Sequence, residues 1–225
     1  MKEKTIENRK MMQLWLLAAL LLLLGGTVGS ANALLPTESH IAAGLRHTCG
    51  IQSDGTLACW GRDDNGQSTP PSGTFSQVSA GQRHSCGIKS DGTLACWGAS
   101  PQSTSPSGTF SQVSAGAEHS CGIKSDGTLA CWGNNRFGQS MPPSGTFSQV
   151  SAGFHHNCGI KSDGTLACWG QRSEGQSTPP SDTFSQVSAG SGHTCGIKSD
   201  GTLACWGPDA DGQSTPPSGT FSPVT

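Results

Sequence analysis

The chain has 225 residues, of which 32 are Gly, 13 Pro and 10 Cys, with 12% charged residues and a formal net charge of −2. So weak and slightly acidic a charge excludes the basic footprint of a nucleic-acid-binding surface. Gly and Pro are abundant but stay below low-complexity levels, and one Trp recurs at near-fixed intervals, which argues for many short strands and turns.

Lys2, Glu3, Lys4, Glu7, Arg9 and Lys10 precede an apolar run from Met11 to Leu24, interrupted only by Gln13, and Ala31-Asn32-Ala33 follows. This is the three-part pattern of a secretory signal peptide over 1–33, with cleavage expected after Ala33. A retained signal anchor is the rival reading, although the run is shorter than the ~20 residues a spanning helix needs. Residues 34–225 then carry 9 basic and 13 acidic side chains, a charge of −4, and all ten Cys. An even number of Cys in an exported chain points to an oxidising compartment and a disulfide framework. The expected location is secreted, periplasmic or at the cell surface, with no membrane association once the leader is removed.

From Thr37 onwards the chain repeats. Trp60, Trp97, Trp132, Trp169 and Trp206 stand 37, 35, 37 and 37 residues apart, and nearly everything around them recurs in step. A fixed period of this length means stacked units. They are expected at about 37–73, 74–108, 109–145, 146–182 and 183–219, with a partial sixth at 220–225.

Each unit reads as β. In the second, the first strand is expected at about Phe75–Ala80, the second at His84–Lys89 and the third at Thr93–Trp97, and no apolar 3.6-residue period competes. The return segment, such as Gln67–Gly73 with Pro70-Pro71, carries the chain to the next unit. It has room for a short fourth strand, which Pro would confine to an edge.

The Ser-Asp-Gly loop between the second and third strands reads as a type I turn closed by a left-handed Gly: Gly55, Gly92, Gly127, Gly164 or Gly201. Centring the hairpin there sets Cys49 opposite Cys59, Ile51 opposite Leu57 and Gly50 opposite Ala58. The Cys pair falls on a non-hydrogen-bonded site, where the Cα atoms come closest and within disulfide reach. The register therefore predicts five hairpin disulfides: Cys49 to Cys59, Cys86 to Cys96, Cys121 to Cys131, Cys158 to Cys168, and Cys195 to Cys205. Reduced Cys packed as small hydrophobes is the alternative. Zinc fits less well, because no C-x-x-C knuckle occurs.

Strand alternation places His47, Cys49 and Ile51 with Leu57 and Cys59 on one hairpin face, and Trp60, Ala58 and Gly50 on the other. Both faces are largely apolar, so each is expected to be covered, with Gly50 and Ala58 leaving room for a neighbouring sheet. A small sheet buried on both sides by copies of itself is a propeller blade or a solenoid rung.

The run Val78, Gly81, His84, Asp91-Gly92 and Trp97-Gly98 is joined by the Gly-Gln pairs Gly66-Gln67, Gly138-Gln139, Gly175-Gln176 and Gly212-Gln213. Together they resemble the regulator of chromosome condensation repeat over 37–225. The resemblance implies an all-β propeller of five blades. The short unit is most similar to the secreted bacterial branch that includes the type II beta-lactamase inhibitor protein. Members of the family usually close seven blades. Five and a fragment imply either a ring closed with a spare strand or an open array, and the favoured reading is a fragment or truncated product forming an arc or a strained five-blade ring.

The resemblance implies nucleotide exchange on a GTPase, chromatin docking or enzyme inhibition as family functions, and an exported acidic chain fits the first two poorly. The copies differ in two windows. One joins the first and second strands (Leu45-Arg46, Gln82-Arg83, Ala117-Glu118, Phe154-His155, Ser191-Gly192), and the other follows Trp-Gly (62–65, 99–101, 134–137, 171–174, 208–211). In an antiparallel meander both lie at one end, the layout of a protein-binding face, although neutral drift of exposed loops produces the same pattern. The best patch is Arg136, Phe137, Phe154 and His155, since these two Phe alone of seven stand outside the Thr-Phe-Ser position. Arg46, Arg62, Arg83 and Arg172 join it as candidate contacts.

The recurring His47, His84, His119, His156 and His193 read as a packing element repeated in each blade, ahead of a metal ring. Asp209-Ala210-Asp211-Gly212 and Asp63-Asp64-Asn65-Gly66 faintly resemble a calcium loop but lack its Glu, so ordinary turns are expected. No catalytic constellation, metal site or cofactor motif is found, and a non-enzyme is expected. The functional expectation is a disulfide-stapled module that contacts a protein partner, inhibiting it or tethering it at the surface. The alternative is a glycan-binding or passive cell-envelope structural repeat protein.

Overall fold

The computed structural model describes residues 40–222. The leader and its cleavage site lie outside the described residues, as do the first residues of blade 1 and the last three of the partial sixth unit. The architecture is all-β, five three-stranded antiparallel sheets in sequence order. Blade 1 comprises β1 (Ile41–Ala43), β2 (His47–Ile51) and β3 (Leu57–Gly61); blade 2, β4 (Phe75–Ala80), β5 (His84–Lys89) and β6 (Leu94–Gly98). Blade 3 comprises β7 (Phe110–Ala115), β8 (His119–Lys124) and β9 (Leu129–Gly133); blade 4, β10 (Phe147–Ala152), β11 (His156–Lys161) and β12 (Leu166–Gly170). Blade 5 comprises β13 (Phe184–Ala189), β14 (Thr194–Lys198) and β15 (Leu203–Trp206). Among the described residues the return segments add no fourth strand, consistent with their Pro residues.

The hairpin register is the one the turn dictates. Gln52 N donates to Thr56 O at 2.8 Å, Gly55 N donates to Gln52 O at 2.9 Å, and Gly55 sits at φ +83°. The Asp54 carboxylate finishes the turn by accepting from Thr56 N at 2.9 Å, and each later turn repeats this bond. Cys49 faces Cys59, and all five predicted disulfides are formed, with Cα atoms 4.0–4.1 Å apart.

The core lies between blades. Cys86 and Ile88 of blade 2 pack against Phe110, Val113 and Trp132 of blade 3, and equivalent clusters fill the other three joints. One detail differs from the sequence expectation. The space at the mid-hairpin glycine is taken by a ring of the same blade, since a Cβ at Gly87 would lie 2.7 Å from Phe75 Cδ1. The first strand bulges after its Phe, which carries that ring across the hairpin and against Trp97, edge to face at 6.3 Å.

Polar groups tie the same joints. His47 Nε2 bonds Ser85 Oγ at 2.7 Å, His84 bonds Ser120 at 2.7 Å, His119 bonds Asn157 at 2.8 Å and His156 bonds Thr194 at 2.8 Å, each on the next blade. Trp97, Trp132, Trp169 and Trp206 donate from Nε1 to the carbonyls of Gln67, Gln102, Gln139 and Gln176 of the preceding blade at 2.9–3.0 Å. The recurring His is thus a packing and hydrogen-bonding element.

The five blades do not close. The glycines ending the first strands of blades 1 to 4 each back onto a glycine carbonyl of the following blade, while the nearest atoms to a Cβ at Gly190 of blade 5 all belong to its own His193. Trp60 of blade 1 is 54% exposed, against 7–9% for its four counterparts. The arc is therefore open between blades 5 and 1.

Candidate functional site

The two variable windows adjoin at one end of the arc. Arg62 N donates to Arg46 O, Ala99 N to Arg83 O, Asn134 N to Glu118 O and Gln171 N to His155 O, all at 2.8–2.9 Å. Loops of unlike sequence are therefore held on like backbone. The tips of the first window meet around the axis, where Leu45, Gln82, Ala117, Phe154 and Ser191 rim a mouth walled by the alanines that end the first strands.

Across the joint of blades 3 and 4, three rings gather. His155 lies 4.5 Å from Phe154, edge to face, and 5.0 Å from Phe137, while the Arg136 guanidinium stands 5.6 Å above the Phe137 ring. Phe137 and Phe154 keep 39% and 38% of their surface exposed. Phe137 is held because its amide donates to Gln139 Oε1 at 2.8 Å, and Arg136 because its amide donates to Asn134 Oδ1 at 2.9 Å. Burial pushes the His155 pKa down, Glu118 opposes the shift, and Arg136 adds to it. His155 Nδ1 is buried without a partner.

The structure thus brings Arg136, Phe137, Phe154 and His155 together. Among the described residues no hydrogen bond, ion pair or ring interaction joins this cluster to the side chains of Arg46, Arg62, Arg83 or Arg172. Arg62 is spent locally, donating from Nε to Asp64 Oδ1 at 2.8 Å. Two supporting residues escaped sequence reasoning. Asn134 Nδ2 donates to Glu118 Oε2 at 2.9 Å and so ties the two windows, and Leu45, 61% exposed, rims the same mouth as Phe154. Only their position in the variable windows signalled them.

The acidic turns are occupied by their own chain. Asp209 accepts from Ser214 N at 2.6 Å and from Thr215 Oγ1, and Asp63 accepts from Ser68 N at 2.7 Å and Thr69 Oγ1 at 2.7 Å. Both are ordinary turns. Among the described residues no group of three His, Cys, Asp or Glu could hold a metal ion.

The family model that matches the chain is the regulator of chromosome condensation (RCC1) repeat, five times, at 39–67, 75–102, 110–139, 147–176 and 184–213. No curated protein matches. Among solved structures, the ectodomain of the Physcomitrella patens receptor kinase CR4 is similar, with 29% identity and a TM-score of 0.63 over 74% of this chain and 49% of that one. The CRINKLY WD40 ectodomain of the Arabidopsis thaliana receptor kinase ACR4 shares 27% identity, with a TM-score of 0.64 over 74% and 67%. Prp20p from Saccharomyces cerevisiae, 17% identical, has a TM-score of 0.64 over 74% and 56%, and shares the fold. The chain spans about half the length of the moss ectodomain.

Proposed function

As the chain belongs to the regulator of chromosome condensation repeat family, we propose that it is an exported, non-enzymatic protein-binding module whose variable-loop face carries the contact. The observation that carries this reading is the half-exposed Phe137–His155–Phe154 cluster with Arg136 above it, aromatic and Arg surface held rigidly on a scaffold that is otherwise uniform. Phe154 belongs both to the cluster and to the axial mouth, so the contact runs from blade 3 to the axis. Prp20p is described with binding properties toward Gsp1p and histones, which supports protein recognition by this fold but names no partner for an acidic chain. Five disulfides are the chemistry of an oxidising compartment, and two similar structures are ectodomains. Both support the secretory reading of residues 1–33 and a secreted, periplasmic or cell-surface location. The short, disulfide-closed unit favours the secreted bacterial branch, and with it inhibition or tethering of the bound protein.

The test is capture from secreted and envelope extracts by the oxidised protein, beside Phe137→Arg/Phe154→Arg. A protein held by the wild type and lost by the variant supports the reading. If both capture the same proteins, or neither captures any, the face is not the contact and glycan-binding or structural roles take its place.

A further inference from the structure

The loop after Trp132 departs from its counterparts in charge as well as in apolar content. Asn135 stands where blades 1 and 5 have Asp63 and Asp209, and Met141 stands where they have Thr69 and Thr215, whose hydroxyls those carboxylates accept from. The turn itself survives the exchange, because Ser140 N donates to Asn135 Oδ1 at 3.0 Å and Ser140 Oγ to Asn134 O at 2.8 Å, as Ser68 and Ser214 do in their own loops. Charge is what changes. Asp63 and Asp64 outweigh Arg62, Asp209 and Asp211 have no cation in their window, Glu174 balances Arg172, and 99–101 is uncharged, so 134–137 alone of the five windows is net positive. Among the described residues no carboxylate pairs with Arg136, and Glu118 is held by Asn134 Nδ2 instead.

A row of rings leads from that cation to the axial mouth. From the Arg136 guanidinium to the Phe137, His155 and Phe154 rings the steps are 5.6, 5.0 and 4.5 Å, and Phe154 rims the mouth. The mouth encloses about 240 Å³, and the side chains lining it carry no charge. An apolar cavity of about 150 Å³ is enough to hold a benzene ring, whereas pockets for drug-sized ligands start at about 300 Å³. The mouth therefore has room for one large apolar side chain and too little for a cofactor.

We infer that this face takes an extended segment of the partner that places an apolar side chain in the mouth and a carboxylate on Arg136, about four residues along at ~3.3 Å per residue. The inference names the partner's chemistry and rests on the protein-binding reading of the same face. An anionic lipid surface fits less well, because the patch offers a single cation with the Glu118 carboxylate close by, and lipid-binding surfaces gather several cations.

The probes are two capped peptides, acetyl-Phe-Gly-Ser-Gly-Glu-amide and the same residues in reverse order, added at millimolar concentrations to the isotope-labelled, oxidised protein. One of the two is expected to bind saturably and to shift the backbone amide resonances of Ala117, Phe137 and Phe154. Replacing its Glu by Gln, or making Arg136→Gln in the protein, should each weaken binding about two- to fivefold, the range of an exposed ion pair, and the two together no further, because they remove one contact. Replacing its Phe by Ser should remove binding. Failure of both peptides, effects of the two Gln exchanges that simply add, or a Ser analogue that binds as well overturns the proposal. Binding to vesicles of anionic phospholipid without binding to either peptide rejects it in favour of a lipid surface. The capture experiment separates this inference from the reading beneath it: a protein held by the wild type and lost by Phe137→Arg/Phe154→Arg, while neither peptide binds, leaves the protein-binding face standing and rejects this occupant.

Discussion

In the joint between blades 3 and 4, His119 Nε2 lies 2.8 Å from Asn157 Oδ1. Asn157 Nδ2 donates to the Gln139 carbonyl at 2.9 Å, and Trp169 Nε1 donates to that same oxygen at 3.0 Å. The amide is thereby oriented, so His119 Nε2 must be the donor and its Nδ1, buried without a partner, carries no proton. Ser85 and Thr194 relay their joints the same way, accepting from His and reaching the Gln67 and Gln176 carbonyls at 3.5 and 3.4 Å. In these three joints one imidazole, one side-chain oxygen and one carbonyl therefore join successive blades, in a single tautomer.

His119→Ala is accordingly expected to destabilise the oxidised protein by about 2–4 kcal/mol, since it leaves Asn157 Oδ1 unpaired in a dry joint and opens a cavity. Urea unfolding measures this. A loss below about 0.5 kcal/mol, within the range of a neutral surface change, would show that the bond is incidental.

Acid should weaken every joint before it protonates the carboxylates. Burial pushes His84 down to about 3, with the neighbouring His119 and His47 adding to the shift. Burial likewise pushes His119 and His156 down to about 4. A base whose folded pKa is depressed binds its proton in the unfolded chain first, so its stability contribution is whole above the ordinary His value and shrinks as pH falls from 6.5 towards 4. Each His contributes up to about 1.4 kcal/mol per pH unit there, and three together about 4. The exposed turn carboxylates Asp91, Asp126 and Asp163 are held low by their Thr hydrogen bonds, so they add loss only at lower pH. Denaturant midpoints at pH 8, 6 and 5 should fall steeply across the last two, and a flat profile would contradict the buried neutral imidazoles.

The strands, the hairpin register and the five disulfides were legible because a period of two and a left-handed Gly fix them locally. Cys86 has no choice but Cys96 once Gly92 closes the turn. The joint was not legible. Gln67 and Gln139 hold the Trp of the following blade through backbone carbonyls, a bond that leaves no trace in residue identity, and the ring over Gly87 depends on a bulge at Ser76 that the alternation does not signal. The cluster at Phe137 and Phe154 was found only because it departs from the repeat, and its tether from Asn134 to Glu118 needed coordinates.

Two glycines separate backbone conformation from space. A Cβ at Gly116 would stand 2.5 Å from the Gly153 carbonyl oxygen and 2.5 Å from His119 Cε1, against backbone that cannot yield without shifting the next blade. Gly138 has φ +80° and open space around it. Gly138→Ala is expected to cost about 1 kcal/mol from its left-handed conformation alone, and Gly116→Ala at least about 3 kcal/mol, from overpacking at a blade joint. Thermal unfolding of the two variants checks the order, and equal shifts would mean that blades are not in register contact at the axis.

Truncating Trp tests whether the arc is open in solution. Trp132 is 9% exposed, packs on Cys86, Ile88, Phe110 and Val113, and donates to Gln102 O at 3.0 Å. Its replacement by Ala should cost about 3–5 kcal/mol, as for a large buried aromatic. Trp60 occupies the same place in its hairpin but is 54% exposed, and among the described residues no blade lies against it as blade 2 lies against Trp132, so Trp60→Ala should cost less than about 1 kcal/mol and remove most of the acrylamide-accessible emission. Comparable losses for the two variants would mean that blade 5 covers Trp60 in solution, which would close the five blades into a ring.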